Sequence, residues 1–483
     1  MRVQPKVVLF PLVLVGLLAL FFLLERCPGY FANTTYLGAI LALQIAFASL
    51  SRFEDLFFPL LMGAFLLAGS DLPFNAVGMS LRWVFLAVGA LGGFIIWVRS
   101  RRQRHFAPVH LVAAFCVVSA IVSATVSETP RTALLKALSL FLLFLYAASG
   151  ARLAVAGRER RFVNGLILSC EALVYVSVAS YFVLGVELFG NPNALGAITG
   201  VVLAPILLWA ALVADSQRLR RRRMVALALC GGLLYYSNSR ASILAAAMTT
   251  VMFTVAIRNQ RLLVQCAFIS VFSLTLMAIV SPSRMDVFVS SLTERFYKES
   301  NLNPGVFGSR LSPWTETMSV VKQHPWFGSG FGTSGLGELR PDVAGSSTYT
   351  AAGTNREHGN SYLAMAEYMG LLGAVPFVLL LLMVTRRVVR IYAWMRRTGS
   401  PYHYAIPFGL VATAGLVHAG FEDWLFAVGS YLCVFFWFAV FIFMDLVPHL
   451  EPERSMSIFL ATPNRPATGP VEVGAGSILT RNP

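Results

Sequence analysis

The sequence predicts an all-α, polytopic membrane protein with about fourteen transmembrane helices. Three observations lead there. Of its 483 residues, 57% are hydrophobic and 13% charged, where a soluble domain carries about 25% charged residues. The apolar residues fall in long or dense runs, such as Val7–Leu24, Val225–Tyr236 and Val375–Val384 with their neighbours, which suit lipid-spanning helices. The basic residues come in short clusters between those runs, the pattern of loops retained on the inner side of a membrane. The formal charge of +15 therefore reads as topology, and nucleic-acid binding is excluded.

Taken in order, the apolar runs give spans at 7–24, 33–50, 55–70, 79–98, 108–126, 132–151, 162–184, 193–213, 224–238, 241–257, 262–280, 370–385, 404–420 and 425–447. The first run is too long for a signal peptide and lacks a small-residue cleavage site, so it reads as a spanning helix. Arginine placement tests the threading. Arg99, Arg101, Arg102 and Arg104 form one cluster, and Arg158, Arg160 and Arg161 the next. Arg218 with Arg220–Arg223, Arg258 with Arg261, and Arg386, Arg387, Arg390, Arg396 and Arg397 complete the series. Alternating spans place every cluster on one face, with both termini cytoplasmic. The domain organisation is then N-terminal transmembrane helices over 1–280, a large outer loop with short helices over 281–369, C-terminal transmembrane helices over 370–447, and a cytoplasmic, disordered tail over 448–483. The loop lies between the eleventh and twelfth spans.

Six cysteines are scattered without a CxxC pair or a histidine at ligand spacing. They read as small buried hydrophobes, and neither a disulfide nor a metal site follows. Within the loop, Leu311–Gln323 reads as an amphipathic helix with Leu311, Trp314, Met318 and Val321 on one face, ended by His324-Pro325. Gly330-Phe331-Gly332-Thr333-Ser334-Gly335 matches GxGxxG formally. No strand precedes it and no βαβ unit has room to form, so it reads as a tight turn beneath the loop helix.

The candidate chemistry gathers on the outer face. Arg240 stands at a turn between two spans, where arginine costs about 2.5–3.5 kcal/mol at a helix centre and is disfavoured by the inside bias; it binds an anion there or snorkels to the interface. Arg310 opens the loop helix, where a cation adds to the positive end of the dipole unless an anion sits nearby. Otherwise it is a solvated arginine or a partner for Glu316. Arg131 and Lys136 begin the sixth span and form a weaker anion-binding pair. His358 can take a proton from a hydroxyl near neutral pH, and Glu357 beside it can orient the ring or act as the base itself. Glu422 and Asp423, at the next outer turn, are further carboxylates able to face the same space.

The stretches SRLSPW, HPWFGSGFG, EHGNSYL and GLLG, in that order within an outer loop late in the chain, resemble the O-antigen ligase and polymerase (Wzy-type) superfamily. Ser239-Arg240 at a span junction and the NPN turn at 191–193 fit the same pattern. The resemblance covers roughly 190 to 440. One departure stands out: the family has Asn directly after His, and here Gly359 separates His358 from Asn360. The resemblance implies a GT-C-like, metal-independent membrane glycosyltransferase without a cofactor, in the bacterial inner membrane with its active site on the periplasmic face. It would move a glycan from undecaprenyl pyrophosphate to a lipid, glycan or protein acceptor in lipopolysaccharide or other cell-envelope polysaccharide biosynthesis. It implies His358 and Glu357 as catalytic residues, and Arg240, Arg310, Arg131, Lys136 and Asn360 as substrate-binding residues. Ligase and repeat-unit polymerase are not separable by these motifs. A polytopic solute transporter is the alternative from another class, disfavoured by few mid-span charges and no evident duplication.

Overall fold

In hydrocarbon every backbone N–H and C=O has to be satisfied within its own segment or by protein, so apolar runs of this length fold as helices. The computed structural model describes residues 43–44, 53–72, 75–99, 107–259, 261, 290, 308–333 and 358–448, and the structural statements below concern these. They form helices α1 (Phe58–Ala68), α2 (Asn75–Arg99), α3 (Pro108–Thr125), α4 (Pro130–Ala148), α5 (Gly150–Val155), α6 (Glu159–Val178), α7 (Pro192–Ile198), α8 (Ala204–Leu212), α9 (Gln217–Tyr236), α10 (Arg240–Ala256), α11 (Gly308–Gln323), α12 (Ser361–Thr398), α13 (Ala405–His418) and α14 (Tyr431–Leu446), with no strand among them. All lie in one compact unit, Met1–Pro448.

Helix ends follow local chemistry. Proline opens α3, α4 and α7, where its missing N–H is one no helix would use. Asn191, Ser216, Asn360 and Ser430 cap α7, α9, α12 and α14 through their side chains. Asn238, at φ 52°, reverses the chain between α9 and α10, a left-handed conformation that asparagine tolerates. Between α7 and α8 the helix loosens to a π-helical stretch, Thr199–Leu203. Pro205 has no N–H to give Val201 O, and that accounts for the loosening.

Six helical stretches are long and apolar enough to cross a membrane, and four shorter ones are apolar. The chain is an integral membrane protein. The expected spans at 7–24 and 262–280 lie outside the described residues, as does 33–50 apart from 43–44. The expected 370–385 span is longer than its apolar run, since α12 reaches from Ser361 to Thr398. Its arginines extend the helix beyond the apolar part.

α13 and α14 form the centre of the bundle; every residue from Tyr431 to Met444 is buried. Around them, α3 turns Val109, Val112, Ala113, Cys116 and Ala120 inward and exposes Leu111, Phe115, Val118 and Val122, so its most apolar stripe faces outward, as lipid contact allows. At the basic end of the bundle, Arg152 grips Asp445 of α14 with two hydrogen bonds, 2.6 and 3.0 Å, and Arg222 pairs with the buried Glu171 at 2.7 Å.

α12 is broken near its start. Gly370 has φ 64° and ψ −173°, a region open in practice only to glycine. The break frees backbone groups on both sides, and the glycine-rich turn after α11 takes them up. Ser329 N–H donates to Glu367 O at 2.9 Å and Gly330 N–H to Tyr368 O at 3.3 Å, while Leu371 and Leu372 N–H donate to Pro325 O and Trp326 O at 2.7 and 3.2 Å. From α3, Ser123 Oγ also donates to Tyr368 O, at 2.5 Å. The expected tight turn is present, and its anchor is this break. The loop helix presents a different face from the one expected. Thr317 and Val320 are buried, whereas Leu311 and Met318 are 42% and 41% exposed. Polar Thr317 can turn inward because its hydroxyl bonds Pro313 O at 2.7 Å, a device hydropathy spacing cannot see.

Gly370→Ala should cost roughly 1–3 kcal/mol for the backbone alone, with more because the new Cβ would lie 2.5 Å from the carbonyl carbon of Trp326. Gly232→Ala, with open space at its Cβ, should be neutral or stabilising by about 0.5–1 kcal/mol. Thermal unfolding in detergent, followed by thiol-dye labelling of the buried Cys116, Cys170, Cys230 and Cys433, reads both.

Candidate functional site

Hairpin alternation brings the α9–α10 turn, the start of α12 and the α13–α14 turn to the end of the bundle opposite the Arg152–Asp445 pair. Hydrogen bonds tie these segments together. Ser361 N–H donates to Ala419 O at 2.8 Å, Ser361 Oγ donates to Glu422 O at 2.6 Å and accepts from Leu425 N–H at 3.1 Å. Ser242 Oγ on α10 lies 3.0 Å from His418 Nε2 on α13. Trp424 Nε1 donates to His418 Nδ1 at 2.7 Å. Because an indole only donates, His418 Nδ1 is the acceptor and Nε2 carries the proton toward Ser242. Ser242 therefore meets an N–H and not a base, and the pair is a structural link.

His358 sits just ahead of α12 with its side chain fully buried between two carboxylates. Its backbone N–H donates to Asp423 Oδ2 at 2.9 Å, and its ring Nδ1 lies 3.1 Å from the same oxygen. On the other side, Nε2 lies 3.3 Å from Oε2 of the equally buried Glu367, an ion-pair distance without hydrogen-bond alignment. The Tyr368 ring packs edge-on against the imidazole, centroids 5.0 Å apart. Burial alone would favour the neutral ring, but the contacts with Asp423 and Glu367 outweigh it and raise the His358 pKa above its ordinary 6.5. Burial likewise works against ionised Asp423, yet the hydrogen bonds from His358 hold its carboxyl below the usual 3.8. Asp423 and Glu367, one on each side of the ring, favour its charged form.

Next to it, Arg310 on α11 forms an ion pair with Glu422. The Arg310 guanidinium lies over Gly359, whose added Cβ would fall 2.9 Å from Nη1. Gly359 has φ 62°, and its carbonyl accepts from Trp314 Nε1 at 3.2 Å. The glycine that separates His358 from Asn360 thus makes the turn and leaves the space that Arg310 fills. Asn360 Oδ1 accepts the Tyr362 and Leu363 N–H groups at 2.9 and 3.2 Å, so this side chain caps α12. Glu316, the sequence-level partner for Arg310, accepts from Ser312 Oγ at 2.8 Å.

Arg240, half-buried at the first position of α10, lies within electrostatic range of Arg310 on α11. Lys136 donates Nζ to Gly332 O, fastening the glycine turn to α4. Arg131 is exposed at the start of α4. Glu357 lies outside the described residues. Sequence reasoning missed Glu367 and His418. For Glu367 a signal existed, a carboxylate at the mouth of a spanning helix, a position where ionisable groups are costly and functional. His418 had none beyond its place at a span end.

Residues 225–378 match the family described as O-antigen ligase. The matched segment contains Arg240, Arg310, His358 and Glu367, while the fold adds Glu422 and Asp423 from beyond it. The match agrees with the sequence motifs of the O-antigen ligase/polymerase superfamily and supports ligase- or polymerase-type function in polysaccharide biosynthesis. It lends no support to a transporter. No curated protein matches the chain.

The clamp has a pH signature. A raised His358 pKa stabilises the fold fully below pH 6.5 and loses that contribution as pH rises through the folded value. A depressed Asp423 pKa stabilises it above pH 3.8 and loses that contribution as pH falls through the folded value. The clamp should therefore be strongest between these limits. Melting temperature against pH should fall on the alkaline side in the wild type, and subtracting the His358→Gln curve should isolate that fall; parallel curves would contradict the clamp.

Proposed function

We propose, from the family match over residues 225–378, that this protein is a membrane glycosyltransferase that moves a glycan from undecaprenyl pyrophosphate to an acceptor hydroxyl. The reaction belongs to surface polysaccharide biosynthesis, as a ligase or a repeat-unit polymerase. The site would work at the periplasmic face of a bacterial inner membrane, with the basic end of the bundle and both termini in the cytoplasm. The observation that carries this reading is the approach of Arg240 and Arg310 to one another on the face that the positive-inside pattern leaves poor in cations.

Two guanidiniums within electrostatic range repel unless anions lie between or beside them, and the leaving group of this reaction is a diphosphate. Forked, charge-assisted hydrogen bonds from both would hold it and stabilise the charge that develops as the glycosidic bond breaks. Arg310 is paired with Glu422, so the diphosphate would displace that carboxylate. Glu422, once displaced, and Glu357 are the groups assigned to orient or accept the acceptor's proton. His358, enclosed and bonded to Asp423 through both its backbone N–H and its ring, is assigned a positioning role: it fixes Asp423 and the α13–α14 turn that carries Glu422. Lys136 acts by holding the glycine turn, Asn360 by capping α12, and Arg131 by attracting the anionic donor.

Arg240→Ala and Arg310→Ala should each lower glycan transfer by on the order of 10²-fold or more, with unchanged protein level. Lipid-linked glycan should accumulate in cells carrying these variants while surface polysaccharide falls; a normal glycan profile in both would defeat the mechanism. Chain length separates the two activities, since unlinked long chains mark a missing ligase and single repeats a missing polymerase. With arginines in place of a metal at the leaving group, transfer by the purified protein should survive EDTA, and loss that Mg²⁺ or Mn²⁺ restores would count against the assignment.

A further inference from the structure

Arg82 stands half-buried on the spanning helix α2. Its Nη1 donates to Gly429 O at 2.7 Å, and its guanidinium carbon lies 5.1 Å from the centroid of the neighbouring Trp83 ring. Nε is buried and bonds nothing. Among the described residues Arg82 enters no ion pair and no hydrogen bond beyond the one to Gly429. A carbonyl and an aromatic face stabilise a guanidinium without cancelling its charge. Two contacts place this charge along α2. A Cβ on Gly93 would lie 2.9 Å from Gly150 Cα, at the start of the helix that carries Arg152, so the second half of α2 is at the basic end. Gly429 belongs to the α13–α14 turn at the opposite end, the turn that also holds Glu422 and Asp423.

Arg82 lies about 10 Å along the axis from Asn75 at the start of α2. Helical side chains lean toward the N-terminus, so its guanidinium reaches back to the level where lipid headgroups begin. There is room beside it. Among the described residues, a Cβ on Gly429 would meet only Arg82 Nη1, at 3.9 Å. Gly429 is not among the glycines of positive φ, so its missing side chain serves space and not the backbone. We propose that Arg82 and the space beside Gly429 bind the phosphate of an anionic glycerophospholipid from the leaflet at this end of the bundle. The planar guanidinium suits a phosphate, and a lipid phosphate reaches this depth while its acyl chains stay in hydrocarbon. A zwitterionic headgroup brings its own cation toward the same charge and is disfavoured. The site uses neither Arg240 nor Arg310, and it does not depend on the glycosyltransferase reading. A bound lipid would join α2 to the turn that carries Glu422 and Asp423.

The test is native mass spectrometry of the full-length protein taken from bilayers holding equal phosphatidylglycerol and phosphatidylethanolamine. Gly429→Asp sets a carboxylate beside Nη1 and leaves Arg82 and its carbonyl bond in place, so the difference between wild type and this variant isolates the site from other basic surfaces. It should retain phosphatidylglycerol on the order of tenfold less tightly than the wild type. In lipid-free detergent its thermal unfolding should come at or above the wild-type temperature, because it supplies an intramolecular anion. Gly429→Asn, matched in size and uncharged, should retain more phosphatidylglycerol than Gly429→Asp, and Arg82→Gln should lose the lipid as Gly429→Asp does. Wild-type retention in Gly429→Asp would reduce Arg82 to a structural latch and overturn the proposal, even where Arg82→Gln fails to fold. Equal retention by the Asp and Asn variants would overturn it too, as would equal loss of the two lipids in Gly429→Asp. Protection of the wild type from unfolding by inorganic phosphate as strong as that by phosphatidylglycerol would rule out a lipid ligand.

Discussion

The interrupted start of α12 is the constraint on which the outer end of this protein depends. A helix broken at Gly370 leaves carbonyls and N–H groups that neither lipid nor a continuous helix can satisfy. The turn 325–333 satisfies them in both directions, accepting from Leu371 and Leu372 and donating to Glu367 and Tyr368. That exchange ties the segment after α11 to α12, and so fixes where α11 lies. It also sets the direction of the short first part of α12, which carries Glu367 and Tyr368 against His358. Lys136 and Ser123 then lock turn and helix to α4 and α3. The glycine-rich motif is therefore a backbone connector, and its glycines serve geometry rather than a ligand.

From that scaffold follows the charge arrangement. Arg310 and Arg240 bring positive charge, Glu422 pairs with the first, and His358 lies between Asp423 and Glu367. Removing one partner of a buried ionic pair costs about 3–5 kcal/mol. The His358 clamp is thus closed, whereas the Arg310–Glu422 pair, each side chain 19% exposed, is reachable by solvent. Exchange of partners belongs to the second pair and rigidity to the first.

Much of this architecture was legible in the residues. Span limits such as 108–126, 193–213 and 241–257 fall within a few positions of α3, the α7–α8 rod and α10, because proline at helix starts and asparagine or glycine at turns mark ends that hydropathy alone blurs. Arg240, Arg310 and His358 stood out as ionisable groups beside apolar runs. What stayed hidden depends on contacts between distant segments. The pairing of Arg310 with Glu422 joins residues 112 positions apart, and no local spacing encodes it. The nearer Glu316 was one partner the sequence offered, and its carboxylate accepts from Ser312 one turn away. The buried face of α11 was misread because Thr317 counts as polar until its hydroxyl is seen to bond its own helix. Gly359 was an anomaly in the motif, and became intelligible once Arg310 was seen lying across it.

The same reasoning bears on how the proposed site would discriminate a dianion at contact. Arg310 offers its fork to whichever carboxylate or phosphate best matches it, and a diphosphate presents more oxygens and more charge than Glu422. Binding would then cost the separation of one ion pair whose side chains are each 19% exposed, against two new charge-assisted contacts if Arg240 joins. Glu422 also holds Arg310 over Gly359, so the guanidinium is already placed where the proposed exchange would occur.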